Sequence, residues 1–205
     1  MPDVAVLEDP AAAVVALDPR RSRLLAALAQ EPASAATLAT RVGLPRQQVG
    51  YHLTALAEQG LVVEVEQRRH GGLVERVLAA SAASYVVSPA AMGGAAVDPS
   101  RVGDRFSAAY LIAVAARAVR EVGSLLRGAD EAGRRLPTLS VDADVRFASA
   151  ADRAAFAADL ATAVRTLAAR YHDENAPQGR WYRVVAVSHP RPVNTTPQPE
   201  RTSAT

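Results

Sequence analysis

Apolar residues recur at helical spacing along most of this chain and give way to strand-like alternation in a few short runs. Asp9-Pro10 pairs a helix cap with a favoured first helical residue, which predicts a short helix over the AAAVVAL that follows. The residues before it, 1–9, are expected to fray. Asp18-Pro19 repeats the device, Leu24, Leu25 and Leu28 mark one apolar side, and Glu31-Pro32 ends the helix. Ser34 is an N-cap type, with Leu38 and Val42 after it at i and i+4 spacing. Gly43-Leu44 breaks that helix, and Pro45 restarts another with φ already set. Val49, Leu53 and Leu56 form its stripe, and Gly60 stands where a left-handed C′ residue is needed. Two short helices across a glycine turn make a helix-turn-helix.

Two β-branched runs follow, LVVEVEQ at 61–67 and LVERVLA at 73–79, around the basic, glycine-closed tip Arg68-Arg69-His70-Gly71-Gly72. A helix-turn-helix with a basic-tipped hairpin after it is a winged helix. The second helix offers Arg46, Gln47, Gln48, Tyr51 and Thr54 outward and carries no carboxylate before Glu58, a face suited to base edges and phosphates. The plain alternative is the solvated face of an ordinary helical hairpin. The segment DPRRSRLLAAL, the helix pair, and above all VGYHLTALAEQGLV at 49–62 resemble the ArsR-type winged-helix regulators over residues 10–89. The resemblance implies a DNA-binding transcriptional regulator, a repressor acting as a homodimer on a double-stranded operator. It places the Pro45 helix in the major groove and the tip, with Arg68, Arg69 and His70, on neighbouring phosphates. Pro45 and Gly50 depart from the serines usual in that family.

Beyond the wing, 85–87 is a short extended piece and 89–99 reads as a linker. Asp98-Pro99 is expected to open a long helix to about Leu126 with apolar residues on two faces, one of them for a second copy of the chain. A polar loop over 127–137 leads to LSVDADVRF at 139–147, where Leu139, Val141, Ala143, Val145 and Phe147 alternate with polar residues. Ser149 and Asp152 start a helix to about Tyr171 with the stripe Phe156, Leu160, Val164, Leu167 and Tyr171. WYRVVAV at 181–187 is a second strand. The expected class is therefore α+β: a winged helix-turn-helix over 10–89, a helix–strand–helix–strand domain over 99–189, and a disordered, proline-rich tail over 190–205. Two strands do not make a stable sheet alone, so they pair across a dimer or lie under the long helix.

Composition narrows the chemistry. There is no cysteine, which excludes disulfides and cysteine-held metals, and all 23 basic residues are arginine. Net charge is +2, so affinity for DNA rests on where the charges sit, with Glu58, Glu64 and Glu66 turned away from the groove. With no long charge-free apolar run and no signal peptide, the chain is expected to be cytoplasmic, without a membrane partner. No nucleophile elbow, glycine-rich phosphate loop or paired-carboxylate cleft is present, so no enzyme activity and no cofactor are expected. His172, Asp173, Glu174 and His189, with Asp142 and Asp144, are the only candidate metal group, more simply read as a charged helix end and strand face. Aromatics in the second half suggest a small-molecule effector site lined by Phe106, Tyr110, Arg117, Trp181, Tyr182 and Arg183. The competing reading is a second half that only dimerises or docks a protein partner.

Overall fold

Val4–Leu7 form a strand, β1, where the sequence suggested a frayed start. The computed structural model describes residues 1–70 and 73–192, apart from the side chains of His70 and Leu73. The wing turn Gly71-Gly72 and the expected disordered tail from 193 onward lie outside the described residues. The chain divides into two compact units, with the boundary between Pro137 and Thr138.

In the first unit β1 leads to α1 (Pro10–Leu17) and α2 (Pro19–Gln30). Both start as the Asp-Pro pairs require: the Asp9 carboxylate accepts from the amide of Ala12 at 3.0 Å, and Asp18 accepts from Arg20 and Arg21 at 2.9 and 3.0 Å. The short strand β2 (Ala33–Ser34) precedes α3 (Ala35–Val42), and α4 (Arg46–Glu58) comes next. Strands β3 (Val62–His70), β4 (Leu73–Ala80) and β5 (Ser84–Val87) follow. The wing sheet runs β2-β4-β3, all antiparallel, while β1 pairs in parallel with β5 from Val4↔Ser84 to Leu7↔Val87. That long-range pairing is what orders the N-terminus, and no local pattern announces it.

Leu24, Leu28, Leu38, Val49 and Leu56 are sealed at the centre, with Leu53, Leu61 and Leu78 around them. Every helix of the helix-turn-helix thus buries its stripe against α2 and the wing strands. The Tyr85 hydroxyl closes the sheet side, donating to the Leu61 carbonyl at 2.9 Å and accepting from the Ala82 amide at 3.1 Å.

Asp98-Pro99 opens only a 3-10 turn, Pro99–Arg101, rather than the long helix. The helix itself, α5 (Ala108–Glu131), starts at Ser107, whose hydroxyl accepts from the Tyr110 amide at 3.1 Å, and it runs past the expected end through much of the expected polar loop. It belongs to the first unit. Gly123 is buried against β1, where a methyl group would stand 2.7 Å from Val6 Cγ1. Arg127 reaches Glu8 at 2.6 Å and Arg120 donates to the Val97 carbonyl at 3.0 Å.

The second unit holds one regular element among its described residues, α6 (Ala150–Tyr171), capped by Ser149 on the amide of Asp152 at 3.0 Å. The two strands expected at 139–147 and 181–187 are not formed. The alternation of 139–147 and the β-branched character of 181–187 are real, but a strand is completed only by a ladder partner, and neither segment has one among the described residues. Mixed helix and strand with an N-terminal winged helix makes the class α+β; the C-terminal helix–strand–helix–strand arrangement is corrected to one helix, α6, between segments without regular secondary structure.

Candidate nucleic-acid interface

The turn between α3 and α4 is set by Gly43, whose φ of 69° is left-handed, and by the amide of Leu44 bonding back to the Ala39 carbonyl at 3.1 Å. Arg23 of α2 donates to the Val42 carbonyl at 3.0 Å, and Arg41 of α3 reaches the Glu31 carboxylate at 2.7 Å and its carbonyl at 3.2 Å. These two arginines bind helix to helix.

So held, α4 buries Val49, His52, Leu53 and Leu56 and leaves Arg46, Gln47, Gln48, Tyr51 and Thr54 exposed, Tyr51 at 68%. All five residues singled out for DNA are on the outer side. Thr54 Oγ1 donates to the Gly50 carbonyl at 3.1 Å, which leaves the hydroxyl an acceptor toward a ligand. Pro45 caps α4 without any side-chain hydrogen bond, and the first closing bond is from Val49 to the Pro45 carbonyl at 3.1 Å. The amides of Arg46, Gln47 and Gln48 therefore point out of the helix start, where an anion is favoured. His52 is 7% exposed. The Arg21 amide above all, then the Arg20 amide, with the charges of Arg21 and His52 adding to them, hold the Asp18 carboxyl below its ordinary range.

The wing carries its charges on two different faces. Cross-strand partners share a face, so Gln67 with Arg76 and Arg69 with Val74 lie on one side, and Arg68 with Glu75 on the other. Glu66 binds Arg68 through both guanidinium contacts, at 3.0 and 2.9 Å, which holds the Glu66 carboxyl below and the Arg68 guanidinium above their ordinary ranges. Glu64 accepts from Gln67 at 2.5 Å and from Arg76, and Gln67 is the larger cause of its lowered carboxyl. Arg69 has no ion-pair partner among the described residues. Arg76, which shares its face, escaped the sequence reading because only the register puts the two together. His70 is in β3 at the tip, and its side chain lies outside the described set.

The residues named for an effector are divided between the two units. Phe106 is fully exposed ahead of α5, Tyr110 is half-buried, and Arg117 has a buried Nε without a hydrogen-bond partner among the described residues. Trp181 and Tyr182 are 82% and 64% exposed, and Arg183 is beside them in sequence on a segment without regular secondary structure. A cavity of about 280 Å³ does occur in the first unit, between α1, α2 and β5, lined by Leu7, Leu17, Ser22, Leu25, Tyr85 and Val87. None of the expected effector residues lines it. Among the described residues no three metal-ligating side chains converge; His172 meets Glu174 at 3.3 Å, and Asp144 meets Arg191 at 2.7 Å. Among the described residues no helix is long and apolar enough to cross a membrane.

Residues 16–65 match the family described as a helix-turn-helix domain. No curated protein matches the chain. Among solved structures, the chain is similar to the homodimeric winged helix-turn-helix DNA-binding domain of a possible ArsR-family transcriptional regulator from Mycobacterium bovis. Identity is 18%, the TM-score is 0.29, and the match covers 62% of this chain and 85% of that one. That likeness is slight, and the reading stands on the α3–turn–α4–hairpin order and the matched residues. Residues 16–65 are thus a helix-turn-helix domain, and with the β3–β4 hairpin that follows it the N-terminal part of this chain is a winged helix-turn-helix.

Proposed function

We propose that the protein is a transcriptional regulator that binds double-stranded operator DNA as a homodimer and represses from it. The observation that carries this is the outer face of α4, where Arg46, Gln47, Gln48, Tyr51 and Thr54 are exposed together on a helix whose other side is locked into the core. Amide and guanidinium forks match base edges, while the uncapped helix start and Arg69 match phosphates. Support for the dimer comes from α5, whose outward side carries Ile112, Ala115, Val122 and Leu125 in the open, with Val114 and Ala113 buried on the side against its own unit. An exposed apolar helical stripe of that length suits the same stripe on a second copy about a two-fold axis. Mobility-shift titration of the full chain against a selected duplex, compared with Gln48→Ala, tests the reading.

The proposal extends to a small-molecule effector that biases the two DNA-binding units, with Phe106, Tyr110, Arg117, Trp181, Tyr182 and Arg183 as its candidate contacts. What supports it is the length of chain beyond the winged helix, rich in aromatic and arginine side chains that a DNA-binding unit does not need. Operator affinity measured across a metabolite panel, with and without Tyr110→Trp, tests this part separately from DNA binding. A cytoplasmic location follows from the proposed task.

A further inference from the structure

The cavity of about 280 Å³ between α1, α2 and β5 serves no function described so far. Its floor is the buried Leu7 and Leu25, with Tyr85 and Val87 half-buried beside them, and its mouth opens at the exposed Ser22 and Ala26. No charged side chain lines it. Of its three hydroxyls, Tyr85 donates to the Leu61 carbonyl at 2.9 Å and Ser84 donates to the Asp3 carbonyl at 2.6 Å. Ser22 has no side-chain hydrogen bond among the described residues. A buried water is held by about three polar partners, more than this lining has free, so water fills the cavity poorly and an apolar molecule displaces it with gain. An ion would lose its hydration and find no counter-charge. A cavity of roughly 150 Å³ takes benzene, so this one has room for about two fused rings. We infer that it is a binding site for one uncharged, largely apolar small molecule of that size, with Ser22 as its free hydrogen-bonding contact.

The position of the cavity gives its occupancy a consequence. β1 forms one wall through Leu7. Successive strand residues face opposite sides, so Val6 and Glu8 face α5, where Gly123 packs on Val6 and Arg127 meets Glu8 at 2.6 Å. α2 forms the other wall, and its Arg23 holds the end of α3 through the Val42 carbonyl at 3.0 Å. A ligand between β1 and α2 touches both the strand that carries α5 and the helix that braces the helix-turn-helix. It favours whichever arrangement of the two it fits better. That consequence rests on the operator-binding reading proposed above, whereas the binding itself does not. None of the aromatic contacts proposed above for an effector lines this site.

Titration of the full chain with 2-naphthol, followed by calorimetry and by the fluorescence of the naphthol, tests the site without DNA. One molecule should bind per chain, saturably. 2-Naphthoate, with the same rings and a charge, should bind at least about tenfold more weakly. Ala26→Leu and Ser22→Leu sit at the exposed mouth, and each should cut 2-naphthol affinity at least about tenfold with the thermal transition kept. Uptake that does not saturate, equal affinity for naphthoate, or binding that survives both substitutions overturns the inference. So does binding seen only where sedimentation shows the chain dissociated, since a second copy would then be the occupant. With a selected operator duplex, saturating 2-naphthol should change the affinity of the parent several-fold and leave that of Ala26→Leu unmoved. A parent affinity that 2-naphthol does not move overturns the coupling. Failure to select any operator overturns the regulator reading, and the titration without DNA still decides the site.

Discussion

Glu64 and Glu66 stand on opposite faces of the wing although only Val65 separates them. Glu64 is opposite Leu78 and Glu66 is opposite Val77, so the bulge between them consumes two residues of β3 for one of β4. Glu66 is thereby turned onto the face of Arg68, which it neutralises, while Arg69 lies across the hairpin with Arg76. With Glu66, Arg68 and Glu75 on one face and Glu64, Arg69 and Arg76 on the other, the wing has one face with a spare negative charge and one with a spare positive charge. Arg69→Ala should weaken binding to all DNA sequences alike and lower the salt slope by about 1. Arg68→Ala should do markedly less, since its charge is already matched by an exposed carboxylate. Equal effects in salt titrations of the two variants would contradict this division.

The α5 stripe makes a dimer prediction that the sequence alone misplaces. From periodicity, Ala113 and Val114 are natural sites for a disruptive charge, yet both are buried within their own unit, so a glutamate there tests folding. Ile112 is 60% exposed on the open side. Ile112→Glu should keep the helical circular-dichroism signal and the thermal transition while weakening α5-mediated association and, with it, operator affinity. Sedimentation and binding of this variant indistinguishable from those of the parent would remove α5 from the dimer interface.

Asp18 gives a pH-dependent prediction. Its carboxyl lies below its ordinary range because it accepts the Arg21 amide first, then the Arg20 amide, with the Arg21 and His52 charges adding to these. A lowered folded-state value means the stabilisation is fully present above the unfolded pKa, about 3.9, and is lost as pH falls through the folded one. Asp18→Ala should cost about 1 kcal/mol at neutral pH, as loss of an N-cap does. Asp18→Asn should keep most of the cap. The gap between parent and Asp18→Ala in urea unfolding should narrow only below the usual carboxylate range; a gap independent of pH down to strong acid would refute the assignment.

Gly123 fixes how α5 sits on β1. A methyl group there would come within 2.7 Å of Val6, so Gly123→Ala must shift the helix or the strand. Overpacking of this kind costs about 1–3 kcal/mol. The loss should be recovered in part by Val6→Ala in the same chain, a coupling that a double-mutant cycle measures; strictly additive effects would show that the two do not touch.

The first half was legible because its signals are local. Asp-Pro starts, the Gly43 turn, the Val49–Leu53–Leu56 stripe and Gly60 each act within a few residues, and all appear where their chemistry requires. What escaped was long-range. The β1–β5 pairing joins residues some eighty positions apart, and the bulge that sorts Glu64 from Glu66 exists only in the paired register. The five α4 residues expected at the interface are all exposed, whereas Arg76 could not be named before its cross-strand neighbour was known. The alternation at 139–147 is a strand signal that lacks a ladder partner in the described chain, so pattern and structure part there for a physical reason.

The most direct test of the central claim is selection of duplexes from a random library by the full-length protein, followed by titration of the selected site with the parent and with Gln48→Ala. The account predicts two related half-sites about one helical turn apart. It also predicts strongly salt-dependent binding and, for Gln48→Ala, a loss of roughly 1–3 kcal/mol of discrimination confined to one base position in each half-site. A library that emerges unenriched, or an enriched site that the parent and Gln48→Ala read identically, would contradict the assignment of α4 as the DNA-reading element.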